Sequence, residues 1–249
     1  MFMSKRILLL GVYGMELVEC GGALAINVQK GGVSFASIML ANNTMKENVK
    51  EAAEILGVEK VFFNNFERGM IDFGYEKKVE LCKVIRETKP DIIITQDPEH
   101  CIHDLDPDRR PAMILLLEAI ALASRDFALD KMPGLEPHPI PKIYYMSPMN
   151  PNCTINIADV WDLKEKGMDV LVSQMEFSGR HFEQRLTEKE LDILAPGFKN
   201  LDSYYHKGRM VHSSIDKAIH MYYGVGGHGN FALAEPYRYE GKFEFDELY

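Results

Sequence analysis

The chain has 249 residues, 46% of them hydrophobic, enough to bury a substantial core at the upper end of what one α/β domain holds. Its 28 basic residues against 37 acidic ones give a formal net charge of -9 with no Lys/Arg-rich stripe, which excludes nucleic acid as the main partner. Cys20, Cys82, Cys101 and Cys153 lie far apart with no C-x-x-C spacing, so they read as free thiols in a reducing compartment. The first apolar run is too short for a membrane span and has no small-residue cleavage site, so the expectation is a cytoplasmic protein without a membrane partner.

Residues 6–12 form a strand whose run after Arg6 is continuously apolar, the habit of a strand buried on both faces. Leu17, Cys20, Leu24 and Val28 then recur at intervals of three and four, placing one apolar stripe on a helix that ends at Gly31-Gly32. A strand over 33–40 follows, then a helix capped by Thr44 that runs to Leu56 and stops at Gly57, then a short strand over 58–63. The stretch 73–88 is helical by pattern and stops before Pro90, after which DIIIT, Asp91 to Thr95, is a second buried strand. This alternation predicts a mainly parallel sheet with right-handed crossovers and helices on both faces, a Rossmann-like three-layer α/β fold in one domain over 1–249.

After a polar loop, 111–125 reads as a helix that is apolar nearly all round and therefore buried against the sheet. Residues 130–141 form a proline-rich surface excursion, 142–147 and 153–157 are strands, and 159–177 is a helix with Trp161 near its start. From about residue 150 the chain is irregular and partly helical, in places between 186 and 214, before a closing strand at 231–239 and a solvated tail whose last ten residues carry four acids.

The densest ionisable chemistry lies in QDPEHCIHDLDPDRR, Gln96 to Arg110, directly after the C-terminal end of a buried strand, which makes it a candidate site. Within it, His100 and His103 have the spacing of a metal pair with Asp97 or Asp104, but the reading preferred over a metal is a polar surface loop; Asp97, His100 and His103 are taken as substrate-binding candidates. Glu16 opens the first helix, where its carboxylate faces the positive end of the backbone dipole as a cap or as a functional group, whereas Glu19 reads as solvated. Asp108 reads as an acid at the N-terminus of the following helix. The glycine cluster Gly224 to Gly229 has no Gly-Lys-Ser/Thr and does not read as a phosphate loop; it reads as a mobile segment presenting His228, with Glu235 just beyond, over the pocket. His206 and His212 show no spacing that joins them to a motif, and no serine lies in a G-x-S-x-G elbow.

The frame of strand, five-residue turn and E-x-x-x-C-G-G-x-L-A from Glu16 to Ala25 resembles the PIG-L/LmbE-like family of zinc-dependent N-deacetylases. The likeness extends to the DIIIT strand, the DPDRR-led helix, the K-x-x-x-M-x-x-L-x-S-Q pattern from Lys164 to Gln174, and FALAEPYR near the end, in the family's order. In the family the first turn reads His-Pro-Asp-Asp-Glu and a later turn reads His-Pro-Asp-His. Carried over position by position, the zinc ligands fall on Val12, Met15 and Arg109, the general base on Gly14, and a substrate-contacting His on Asp106. Valine has no donor, methionine is a soft thioether and arginine is a cation, so no cofactor is expected at the family's usual zinc site.

The resemblance implies a hydrolase acting on a C–N bond, an N-acyl or amide group, in a homo-oligomer. With Arg109 near the metal's place, its guanidinium can hold a carboxylate or phosphate by a bidentate fork, which points to a small anionic substrate or ligand. Glu16, Asp106 and Arg109 are therefore the candidate catalytic residues, and Tyr13, Asp97, His100, His103, His228 and Glu235 the candidate substrate contacts. Two alternatives stand beside this one: a hydratase or lyase acting on a carboxylate-rich substrate, and an inactive relative that binds a small ligand.

Overall fold

The computed structural model describes residues 4–64 and 66–242. Among the described residues seven strands, β1 (Arg6–Tyr13), β2 (Val33–Leu40), β3 (Lys60–Phe63), β4 (Ile92–Gln96), β5 (Lys142–Met146), β6 (Cys153–Asn156) and β7 (Ala234–Tyr239), form one sheet in the order β3-β2-β1-β4-β5-β7-β6. β1 to β5 are parallel, with Leu8 opposite Phe35 on β2 and Ile93 on β4, and β7 runs antiparallel to both β5 and β6. The apolar run of β1 is explained by burial on both faces. Ile7 and Leu9 join one core and Leu8, Leu10 and Val12 the other.

The helices are α1 (Glu16–Glu19), α2 (Gly21–Gln29), α3 (Asn43–Leu56), α4 (Tyr75–Thr88), α5 (Pro98–His103), α6 (Arg109–Ala123), α7 (Trp161–Asp169), α8 (Val172–Arg185), α9 (Glu188–Leu194) and α10 (Tyr204–Tyr223). One face of the sheet is covered by residues of α2, α3 and α7, the other by residues of α4 and α6. The mainly parallel α/β architecture expected from the sequence is the one observed. No helix among the described residues is long and apolar enough to cross a membrane.

Several boundaries differ from the sequence expectation for local reasons. The helix start at 43 makes Asn42, not Thr44, the cap: its Oδ1 accepts the Met45 amide at 2.9 Å. The polar loop after β4 contains α5, because Asp97 caps the turn through the His100 amide and Pro98 follows at the first helical position. The helix expected over 159–177 breaks into α7 and α8, with Leu171 buried at the break. The expected solvated tail falls largely on 243–249, outside the described residues.

The first helix also breaks, at Cys20, and the break has a definite support. Glu235 on β7 accepts the amides of Gly22 and Ala23, each at 2.8 Å, and so caps the start of α2. Lys164 on α7 reaches the same carboxylate at 2.9 Å while donating to the carbonyls of Val18 (2.6 Å) and Glu19 (2.5 Å) at the end of α1. Tyr237 donates to the other oxygen at 2.9 Å. Gly22 has to be glycine here, since a Cβ would lie 2.6 Å from Glu235 Oε1. The Cys-Gly-Gly, Lys164 and Ala-Glu segments are thus one buried node that holds the first turn in place.

The Lys164 and Glu235 side chains are 3% and 2% exposed, so removing one partner strands a buried charge. Lys164→Met is expected to lower stability by about 3–5 kcal/mol in urea unfolding, and the reverse finding of an unchanged midpoint would show the node to be dispensable.

Candidate functional site

β1 and β4 are neighbours whose connections leave in opposite directions, so a crevice opens beyond their carboxyl ends. There, a cleft of about 650 Å³ is lined by the first turn, by Asp106 to Arg109, by Arg68, and by one face of α8.

Glu16 sits at the back of this cleft, fully buried, because α1 begins right after the turn and directs the side chain under the end of β1. Oε2 accepts the Val12 amide at 2.7 Å and the Gln96 side-chain amide at 2.8 Å, and Oε1 accepts Arg109 Nη1 at 2.9 Å. Burial pushes the carboxyl up to about 7, with Arg109 and the Val12 and Tyr13 amides pulling the other way, so Glu16 exchanges its proton near neutrality.

Arg109 begins α6 and is gripped on three sides. Besides Glu16, its Nη1 donates to Gln96 Oε1 at 2.9 Å, its Nε lies 3.3 Å from Asp104 Oδ2, and its guanidinium carbon stands 5.4 Å from the Tyr13 ring centroid. Burial works against its charge, and Glu16, Glu19 and Asp104 more than offset that, holding it protonated.

Tyr13 donates to both oxygens of Asp106 at 2.9 Å, and Asp106 also accepts the amides of Asp108 (2.9 Å) and Arg109 (3.2 Å). Burial, and then Asp106, raise the phenol's pKa, so Tyr13 stays a donor. Asp108 stands at the N-terminus of α6, as expected, but its side chain makes no capping bond there; it accepts the Gly69 amide at 2.6 Å and so ties down the segment that carries Arg68. Arg68 is exposed, and its guanidinium carbon lies 5.5 Å from the centroid of the same Tyr13 ring.

Of the expected residues, Tyr13, Glu16, Asp106 and Arg109 therefore come together in one cleft. Asp97 does not line it: its carboxylate is spent on the His100 and Met149 amides and lies 3.6 Å from Arg238 Nε. His100 pairs with Asp104 at 3.3 Å behind Arg109, while His103 and His228 are exposed and line no part of the cleft. Glu235 lies in the node that caps α2, with its oxygens occupied by four donors. Glu19, expected to be solvated, instead lines this cleft and a neighbouring cavity of about 340 Å³ against α7 and α10.

Sequence reasoning passed over Arg68 and Ser178, took Gln96 only as the start of the polar loop, and took Ser173 and Gln174 only as the end of the Lys164 to Gln174 pattern. The α8 residues reach the cleft through tertiary packing, which that pattern alone does not record.

The donor set does not fit zinc at the positions the resemblance assigns. Val12 has no donor atom and is buried, Met15 offers a thioether, and Arg109 is a cation already paired with Glu16. Among the described residues no three His, Cys, Asp or Glu side chains converge on a metal-sized point.

Because the Glu16 side chain is 1% exposed and that of Arg109 22%, Arg109→Ala is expected to cost about 3 kcal/mol, toward the lower end for a broken buried pair. The sign with pH follows from Glu16. The pair exists only while Glu16 is ionised, so the deficit is larger at pH 8 than at pH 5, where the carboxyl is protonated with or without Arg109. Adding Glu16→Gln to Arg109→Ala should recover most of the loss, and a denaturant series at the two pH values checks both points.

No protein-family model matches the chain. Over 163 residues, 65% of the chain, it is 29% identical to diacetylchitobiose deacetylase of Thermococcus kodakarensis, and the match spans 57% of that protein's length. Its fold matches that of N,N'-diacetylchitobiose deacetylase from Pyrococcus horikoshii with a TM-score of 0.68 at 18% identity, covering 95% of this chain and 84% of the other. It also matches GalB, the 4-carboxy-2-hydroxymuconate hydratase of Pseudomonas putida KT2440, with a TM-score of 0.67 at 17% identity, covering 98% and 100%. The chain is thus similar in sequence to a diacetylchitobiose deacetylase and shares the fold of a solved deacetylase and a solved hydratase.

Proposed function

We propose that the protein is a PIG-L/LmbE-like hydrolase that cleaves a C–N bond, an N-acyl or amide group, of a small polar and anionic substrate, without the family's zinc. The observation that carries this reading is Arg109, a guanidinium fixed by Glu16 and Gln96 at the position the resemblance gives to a metal ligand, on the wall of a substrate-sized cleft. The sequence relative being a diacetylchitobiose deacetylase supports the reaction class.

In this reading Arg109 and Arg68, which flank Tyr13, hold the substrate's carboxylate or phosphate. Asp106, fixed by Tyr13 and two backbone amides, accepts hydrogen bonds from substrate hydroxyl or amide groups. Glu16 keeps the guanidinium in place and sets its orientation. A second reading, a hydratase acting on a carboxylate-rich substrate, is favoured by the same pair of arginines, which suits two carboxylates, and by the likeness in fold to a hydratase.

The test is calorimetric binding of citrate, as a carboxylate probe, together with amine release from a panel of N-acetyl sugars and N-acyl amino acids. Charged hydrogen bonds of about 1.5–3 kcal/mol imply that Arg68→Ala, at an exposed position, weakens citrate binding roughly 10- to 100-fold, with Arg109→Lys acting in the same direction. Unchanged affinity in both variants would sink the anionic-substrate assignment, and amine release separates the hydrolase from the hydratase.

A further inference from the structure

The polar wall of the cleft supplies cations and acceptors but no nucleophile; the opposite wall, on α8, does. The geometry points to Ser178 and His212 as a nucleophile and base pair that carries C–N hydrolysis through an acyl-enzyme, an assignment that rests on the hydrolase reading above.

Ser178 lines the cleft with Arg109 and Asp106 and is 9% exposed. Its Oγ lies 2.9 Å from Nε2 of His212 on α10, within reach for proton transfer. The approach is built into the backbone. α8 and α10 meet at Gly179 and Gly208, where a Cβ on Gly208 would run into the Met175 carbonyl and one on Gly179 into the Tyr204 carbonyl. Gly208 precedes His212 by one helical turn and Gly179 adjoins Ser178, so the contact sets the two side chains face to face. Phe182 packs edge-on against the imidazole, with centroids 5.8 Å apart at 63°. Burial holds the imidazole below its usual range, with Glu19 pulling the other way and Arg209 adding to the fall, and the neutral ring is the form a base needs.

One turn before Ser178 on the same face of α8, the Gln174 Nε2 is buried over Gly14 and has no hydrogen-bond partner among the described residues. Such an amide, four residues from the nucleophile, is placed to take up the charge that develops on an acyl oxygen.

The chemistry balances without a further reagent. Ser178 Oγ attacks the acyl carbon as its proton passes to His212 Nε2; the C–N bond breaks, and the departing nitrogen takes that proton, leaving an ester on Ser178. Water then attacks the ester carbon and gives its proton to His212, the bond from carbon to Oγ breaks, and Oγ recovers the proton. The products are an amine and a carboxylic acid.

The test treats the full chain with a fluorophosphonate probe and follows adduct formation by intact mass and peptide mapping. One adduct on Ser178 is expected, absent in Ser178→Ala, and formed about 100-fold or more slowly in His212→Gln. No adduct on Ser178 in the unaltered chain, or an equal labelling rate in His212→Gln, would overturn the assignment. The two readings fail separately. An amine-releasing activity that survives Ser178→Ala overturns the pair and spares the hydrolase, while labelled Ser178 with no amine release from any N-acyl substrate supports the pair and counts against C–N hydrolysis.

Discussion

A carboxylate with no exposed surface, Glu16, lies beneath the C-terminal end of the central strand, and much of the site follows from the need to compensate it. Its position is forced by a turn that passes directly from β1 into α1. N–H donors from three segments meet it: the Val12 and Tyr13 amides, the Gln96 side chain and Arg109. Because Arg109 is drawn inward by Glu16, Asp104 and Tyr13 arrange themselves around the guanidinium, and Asp106 is locked by Tyr13 and the backbone. A fixed cation thus stands where the family resemblance would put a metal ligand.

Compensation of charge also explains the motifs that are legible in the sequence. Cys20-Gly21-Gly22, Lys164 and Ala234-Glu235 are far apart in the chain and individually unspecific. Their meaning is that Glu235 caps α2 while Lys164 caps α1, on either side of the break that sets the first turn. The strands were readable because a parallel strand buried on both faces must be apolar through its centre, as Ile7 to Val12 and Ile92 to Ile94 are. The C-terminal third was poorly readable for the complementary reason. α8 and α10 pack through Gly179 and Gly208, and close helix contact through glycine leaves no apolar stripe to count.

The site divides along the same line. Glu16, Asp106, Arg109 and Tyr13 could be found because two short motifs carry them. His100, His103 and Asp97 attracted notice by density of charge, yet α5 turns His103 outward and uses Asp97 as its cap, so density alone did not mark the cleft. His212 joined no motif in the sequence, because the residue it faces is 34 positions away on another helix. His228 lies on an exposed turn in a left-handed backbone conformation, with φ of 62°, apart from the cleft.

In the proposed reading the Glu16–Arg109 pair stands in the place of a metal. The direct measurement is a calorimetric zinc titration of the full chain, purified without chelator, with metal content determined beforehand. The account predicts no stoichiometric zinc in the purified protein and no saturable heat on titration. One zinc per chain, bound by the unaltered protein and lost when Met15 or Asp106 is replaced by alanine, would contradict it.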